Sequence, residues 1–115
     1  MKEIYIASKT KHADIWRSWR EDLNINSSWI DEVGKTEDFT ELWLRRIEEA
    51  SNADILVIYR EPNEILQDAW IELGAAVTNN KQVYAYGIRT FSVANHPNIK
   101  HFKYLDELHQ ALLDK

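Results

Sequence analysis

The stretch Ala53 to Tyr84, ADILVIYREPNEILQDAWIELGAAVTNNKQVY, decides how this chain is read. Ile55 to Tyr59 is a short unbroken aliphatic and β-branched run, the composition of a central parallel strand covered on both faces. Leu66, Ala69, Trp70, Leu73 and Val77 then recur at helical spacing, and Gln82 to Tyr86 is a second strand-like run. A strand, a helix and a strand in that order describe a βαβ unit. The loops leaving the carboxyl ends of parallel strands form the crevice where ligands bind. Arg60 to Gln67 is therefore a predicted site loop, with Glu72 just beyond it.

The same alternation extends in both directions. Ile4 to Ser8 predicts the first strand. Ile15, Trp16, Trp19 and Leu23 mark the buried face of a helix over Lys11 to Asp22, and a second strand is predicted over Ile25 to Ile30. Gly34 and Lys35 read as a turn. Asp38 with Glu41 three positions later is an N-cap pair, followed by the stripe Phe39, Leu42, Trp43, Ile47 and Ala50 in a helix that ends near Ser51 and Asn52. Ile99 to Lys103 predicts a short fifth strand, and Leu105, Leu108 and Leu112 a terminal helix. Right-handed crossovers then favour one α/β domain over residues 1–115: a flavodoxin- or Rossmann-like three-layer sandwich with a five-stranded parallel sheet in the order 2-1-3-4-5. Arg89 to Asn98 is the least regular segment, predicted as a surface loop that folds over the crevice or meets a partner subunit.

Composition narrows the function classes. A formal charge of −5 and an isoelectric point near 5.3 argue against a nucleic-acid-binding face, which needs clustered Lys and Arg. Small nucleosides or nucleotides stay compatible with that balance. With no cysteine there is no disulfide framework, thiol nucleophile or Cys-based metal site. Met1-Lys2-Glu3-Ile4 runs straight into a strand, and no apolar run is long enough to span a bilayer, which predicts a soluble cytoplasmic protein without membrane partners. His96 and His101 lack the pair spacing and third ligand of a zinc site, and His12 and His109 are isolated in sequence, so no metal is expected. GxGxxG, P-loop and Gly-x-Ser-x-Gly patterns are absent. A phosphoacceptor domain would need an Asp at the end of the third strand, where Tyr59 and Arg60 stand instead.

The strand opening at Ala53-Asp54, the loop, Glu72-Leu73-Gly74 and the returning Lys81-Gln82-Val83 together resemble the nucleoside 2-deoxyribosyltransferase superfamily. Ile4-Tyr5-Ile6-Ala7-Ser8 resembles its first strand, and Trp29-Ile30-Asp31 the end of its second. The resemblance implies that Glu72 attacks the anomeric carbon of a nucleoside or nucleotide to form a covalent sugar-enzyme intermediate, which a second base or water resolves. It also implies a homodimer and no cofactor. A carboxylate suits this work because it is both nucleophile and counter-charge to the oxocarbenium-like centre. The chain departs from the family at Asp68, where a small residue is usual four places before the nucleophile. That carboxylate either caps the helix start or faces the pocket, where it would disfavour a 5′-phosphate.

Each candidate has an alternative role as scaffold. By helix periodicity Glu72 falls about 120° from the centre of the apolar stripe, so it also fits a solvated helical glutamate. Tyr5, Ser8, Trp29 and Asp31 lie at or near the ends of the first two strands, placed to hold a base and sugar. Equally, Tyr5 and Trp29 fit the core and Asp31 a turn before Gly34. Glu61 and Glu64 are loop carboxylates that fit either acid–base helpers or solvated side chains. Two functional alternatives remain beside glycosidic transfer or hydrolysis: a non-catalytic nucleotide-binding or sequestering module, and a TIR-like NAD glycohydrolase.

Overall fold

The computed structural model describes residues 2–35 and 38–115. Strands β1 (Glu3–Ala7), β2 (Asn24–Ile25), β3 (Ile55–Tyr59), β4 (Gln82–Tyr86) and β5 (Ile99–Phe102) form one all-parallel sheet in the order β2-β1-β3-β4-β5. Helices α1 (Ala13–Trp19), α2 (Phe39–Asn52), α3 (Asp68–Thr78) and α4 (Leu105–Leu113) connect and cover it. The predicted class and strand order are those observed. All five residues of β3 are buried, as an unbroken apolar run in the middle of a covered sheet requires. Among the described residues, no helix is long and apolar enough to cross a membrane.

Register sorts side chains between the two faces. Tyr5 pairs with Leu56 and Ala7 with Ile58, and this face carries α2 and α3, since the Tyr5 hydroxyl reaches Glu72 of α3. Val57 pairs with Tyr84, Tyr59 with Tyr86, and Tyr86 with Phe102, all on the opposite face. There Trp16 of α1 lies edge-on to Tyr59, and Trp19 stacks on His109 of α4 at 4.4 Å.

Four elements differ in their bounds from the sequence reading, the slightest being β1, expected over 4–8 and observed over Glu3–Ala7. The second strand was expected over 25–30 but stops at Ile25. Beyond Asn26, whose N–H still donates to Ile4 O, side chains replace the ladder: Ser27 Oγ accepts from Ile6 N at 2.7 Å, and Trp29 Nε1 donates to Ile6 O at 2.9 Å. With β1's polar groups satisfied in this way, Ser28–Asp31 coils into a 3-10 turn that buries Trp29 and Ile30. The first helix, expected over 11–22, is α-helical only from Ala13 to Trp19, with a 3-10 turn over Thr10–His12 before it. β5 ends at Phe102, one residue early. The Asp38 cap forms as expected, its Oδ1 accepting from Glu41 N at 3.1 Å.

Two glycines adopt left-handed backbone. Gly34 (φ +75°) has open space where a Cβ would stand, whereas a Cβ on Gly87 (φ +86°) would lie 1.9 Å from Arg60 O. Gly87 therefore lets the end of β4 press against the chain leaving β3. Gly34→Ala is expected to cost only the conformational penalty of about 1–2 kcal/mol, while Gly87→Ala adds a backbone clash and should cost clearly more. Urea midpoints of the two variants provide the comparison.

Candidate functional site

Glu72 is fully buried, which the sequence did not lead us to expect. The buried arc of α3 is Ala69, Glu72, Leu73 and Ala76. Glu72 therefore lies within that arc rather than on its flank, because α3 is wedged between the sheet and α2, and both sides of its stripe are covered. Trp70 and Val77, expected in the stripe, are only partly buried.

One oxygen of this carboxylate carries both of its bonds. The Tyr5 hydroxyl donates to Oε2, and Arg46 Nε donates to the same atom at 3.0 Å, while Oε1 has no partner among the described residues. Tyr5 is wholly inaccessible, and the Arg46 side chain is 8% exposed. Burial raises the Glu72 pKa above the ordinary carboxylate value; the Arg46 charge and the Tyr5 and Arg46 hydrogen bonds pull it back only in part. Burial and the adjacent Glu72 charge push the Tyr5 hydroxyl well above a normal phenol, so it stays protonated as a donor. Burial alone would lower Arg46, but Glu72 and Tyr5 together raise it, and it remains a cation.

Two clefts lie beside this cluster at the carboxyl ends of the strands. One, of about 190 Å³, is lined by Ser8, Lys9, Thr10, Arg46, Leu66, Gln67, Asp68 and Ala69. The other, of about 270 Å³, has Trp29, Glu32, Phe39 and Trp43 among its walls. Thr10, Arg46 and Asp68 line both, so the two are halves of one crevice. Glu72 lines neither; Arg46 is the residue common to its shell and to the crevice.

The other candidates divide. Ser8 lines the smaller cleft with its Oγ held by Trp16 Nε1 at 2.9 Å. Trp29 lines the larger one, although it is almost entirely buried and its indole N–H is engaged by Ile6. Asp68 opens α3 rather than capping it, since Gln67 is the N-cap, and its half-exposed carboxylate stands 4.0 Å from Arg46. Asp31 lines neither cleft. It forms a two-point ion pair with Arg20 at 2.7 and 2.9 Å on the surface, and the Arg20 hydrogen bonds hold its carboxyl below the usual range.

Sequence reading missed Arg46 and the company kept by His12. Arg46 stands four residues before the buried Ala50 and three or four after Trp43 and Leu42, on the inward face of α2. A charged residue on an apolar stripe was the available signal. His12, isolated in sequence, meets Glu64 through Nε2 at 2.8 Å, and its Nδ1 lies 3.8 Å from Glu61. These three could together hold an ion, their ligand atoms lying within 4.8 Å of one another. The same oxygens already serve Lys11, at 3.2 Å from Glu64, and the Tyr59 hydroxyl, at 2.6 Å from Glu61, so an ion would have to displace them.

No protein-family model matches the sequence, and no curated protein matches it either. Solved structures do. A 2-deoxyribosyltransferase from the psychrotolerant bacterium Bacillus psychrosaccharolyticus superposes with a TM-score of 0.73 at 20% identity, covering 96% of this chain and 95% of that one. This chain shares the fold of that 2-deoxyribosyltransferase. A CMP N-glycosidase from Clostridium botulinum superposes with a TM-score of 0.68 at 11% identity, over 96% of this chain and 98% of its own. The match to both runs nearly end to end, so the likeness is of whole domains rather than of a shared βαβ unit.

A buried ion pair broken on one side costs about 3–5 kcal/mol, whereas replacing both partners by apolar groups is often nearly neutral. Arg46→Met should therefore be strongly destabilised, and Arg46→Met/Glu72→Leu should recover more than half of the loss. Additive losses in denaturant titrations would show that the two side chains do not act as a pair.

Proposed function

We propose that this protein cleaves or exchanges the N-glycosidic bond of a nucleoside or nucleotide, with Glu72 as nucleophile. The observation that carries this reading is the division of labour within one buried carboxylate. Oε2 is anchored by Tyr5 and Arg46, and Oε1 keeps its lone pairs uncommitted. In the proposed reaction Oε1 forms a bond to C1′ as the C1′–N bond breaks. The base departs with the bonding pair and takes up a proton, and water or a second base then attacks C1′ and frees the carboxylate. Arg46 and Tyr5 position Glu72 for this. The fold supports the same chemistry, since its structural neighbours include a 2-deoxyribosyltransferase and a CMP N-glycosidase.

Substrate preference follows from the crevice. Lys9 and Arg46 face Asp68 and Glu32, an even balance of charge, and Arg46 is already committed to Glu72. A neutral nucleoside suits that balance better than a monophosphate. Ser8 and Thr10 are the hydroxyls available to a sugar, and Trp29 and Trp43 the aromatic walls for a base. We also propose a homodimer. Phe39, Trp43, Leu44 and Ile47 of α2 form an apolar surface around a concavity of about 580 Å³, with Phe39 and Leu44 strongly exposed. Phe39 and Trp43 also wall the crevice, so a second copy seated there would complete it.

A second reading is favoured by the enclosure of Glu72, which reaches neither cleft. In that reading the crevice binds a nucleoside or nucleotide without turning it over. Chromatographic detection of free base separates the two, using a panel of ribo- and deoxyribonucleosides, their monophosphates and NAD. The nucleophile reading expects release that falls by at least about 10³-fold in Glu72→Gln, the scale on which a group essential to the chemical step is felt. Binding without release would support the sequestering module, and release from NAD alone a TIR-like glycohydrolase.

The nucleophile must be ionised, and its folded-state pKa is raised. The acid limb of the rate profile is therefore expected above the ordinary carboxylate range. Tyr5→Phe removes a donor that favours the charged form, so it should move that limb to still higher pH. A limb unmoved by Tyr5→Phe would detach Glu72 from the titration that controls rate.

A further inference from the structure

A separate cleft of about 360 Å³ lies across the ends of β3, β4 and β5, lined by Arg60, Tyr86, Gly87, Arg89, Phe102 and Lys103 together with Pro62 and Thr90. It shares no residue with the crevice beside Glu72. It also belongs to the other face of the sheet. Tyr86 and Phe102 are in register with Tyr59, on the α1 and α4 side, whereas Tyr5 and Glu72 lie on the α2 and α3 side.

Its charge is exceptional for this chain. The protein carries 19 acidic residues and a net charge of −5, yet among the described residues three cations and no carboxylate line this cleft. Among the described residues, Arg17, Arg20, Arg45 and Arg46 each pair with Asp or Glu. Arg60 and Arg89 make no such pair there, and both line the cleft. The Arg60 guanidinium is nevertheless held in place. Its Nε donates to Glu64 O at 2.8 Å, one terminal nitrogen donates to Gly87 O at 3.2 Å, and its carbon sits 5.1 Å from the Phe91 ring centroid. Carbonyl oxygens and a ring face orient a guanidinium without neutralising it. Gly87 fixes this arrangement, because without a Cβ it lets the end of β4 pack directly against the Arg60 backbone. Tyr86, stacked on Tyr59 at 5.1 Å, and Phe102 supply the aromatic surface.

We propose that this cleft is a second binding site, for a small molecule that joins a planar ring to a phosphate. Uncompensated guanidinium and ammonium groups recognise the phosphate by charge-assisted hydrogen bonds. Tyr86 and Phe102 take the ring, and the volume falls within the range of small-ligand pockets. The proposal is independent of the chemistry assigned to Glu72.

Phenyl phosphate is the probe, since it has the ring and the phosphate but no glycosidic bond for Glu72 to cleave. Titration into the ¹⁵N-labelled protein is expected to shift the amides of residues 86–90 and 102–103 saturably, and to leave residues 8–10 and 67–69 unmoved. Arg89→Ala/Lys103→Ala alters two exposed side chains and should weaken binding by about tenfold or more, while Glu72→Gln leaves it unchanged. Inorganic phosphate and phenol, each carrying half of the pattern, should bind more weakly than the joined molecule. Shifts confined to residues 8–10 and 67–69, an affinity indifferent to the double substitution, or no saturable shift would each overturn the proposal. None of these outcomes bears on base release, so either reading can fail alone.

Discussion

The buried contact of Glu72 with Arg46 and Tyr5 is the constraint on which the rest of this molecule turns. A carboxylate removed from water survives as an ion only if a cation and hydrogen-bond donors replace its hydration. Here three elements meet: β1 supplies the donor Tyr5, α2 the donor Arg46, and α3 carries the acid itself. The contact therefore ties one face of the sheet to both helices that cover it, and it dictates how α2 and α3 sit against each other. Such a pair adds little net stability over an apolar core. Its effect is on geometry, because any shift of one helix would strand a buried charge.

That geometry also makes the two carboxylate oxygens unequal. Both stabilising bonds converge on Oε2, and among the described residues Oε1 has no partner, in a site where an unpaired polar atom is costly. Arg46 reaches from this shell into the crevice, so the residue that stabilises the carboxylate also stands between it and the open cleft. One guanidinium thereby belongs both to the buried cluster and to the crevice wall. On the opposite face of the sheet the arrangement is reversed: Arg60 is held by two carbonyls and a ring face, and among the described residues no carboxylate lines its cleft. One sheet thus carries a compensated charge cluster on one side and an uncompensated one on the other.

The elements that were legible in the sequence are those whose signal is local. β3 and β4 have the bounds the apolar runs implied, and the Asp38 cap lies where its spacing to Glu41 placed it. The second strand was misjudged because Ser27 and Trp29 satisfy Ile6 through side-chain atoms, a substitution that no propensity scale records. Asp31 looked like a site residue from its position after a strand, but Arg20, eleven residues earlier, holds it at the surface. Trp29, by contrast, is both things the sequence allowed, a core residue and a wall of the larger cleft.

The sequence by itself determined the α/β class and the parallel sheet with its order, since periodicity and the right-handed crossover are properties of short segments. Only the tertiary structure decided that Glu72 is buried, that Arg46 and Tyr5 hold it, and that His12 meets Glu61 and Glu64. These are contacts between residues 26 to 67 positions apart. Burial on a helix flank depends on what the neighbouring helix brings, and a charge's partner is chosen by distance in space. Both are set when the layers close, which no window along the chain can contain.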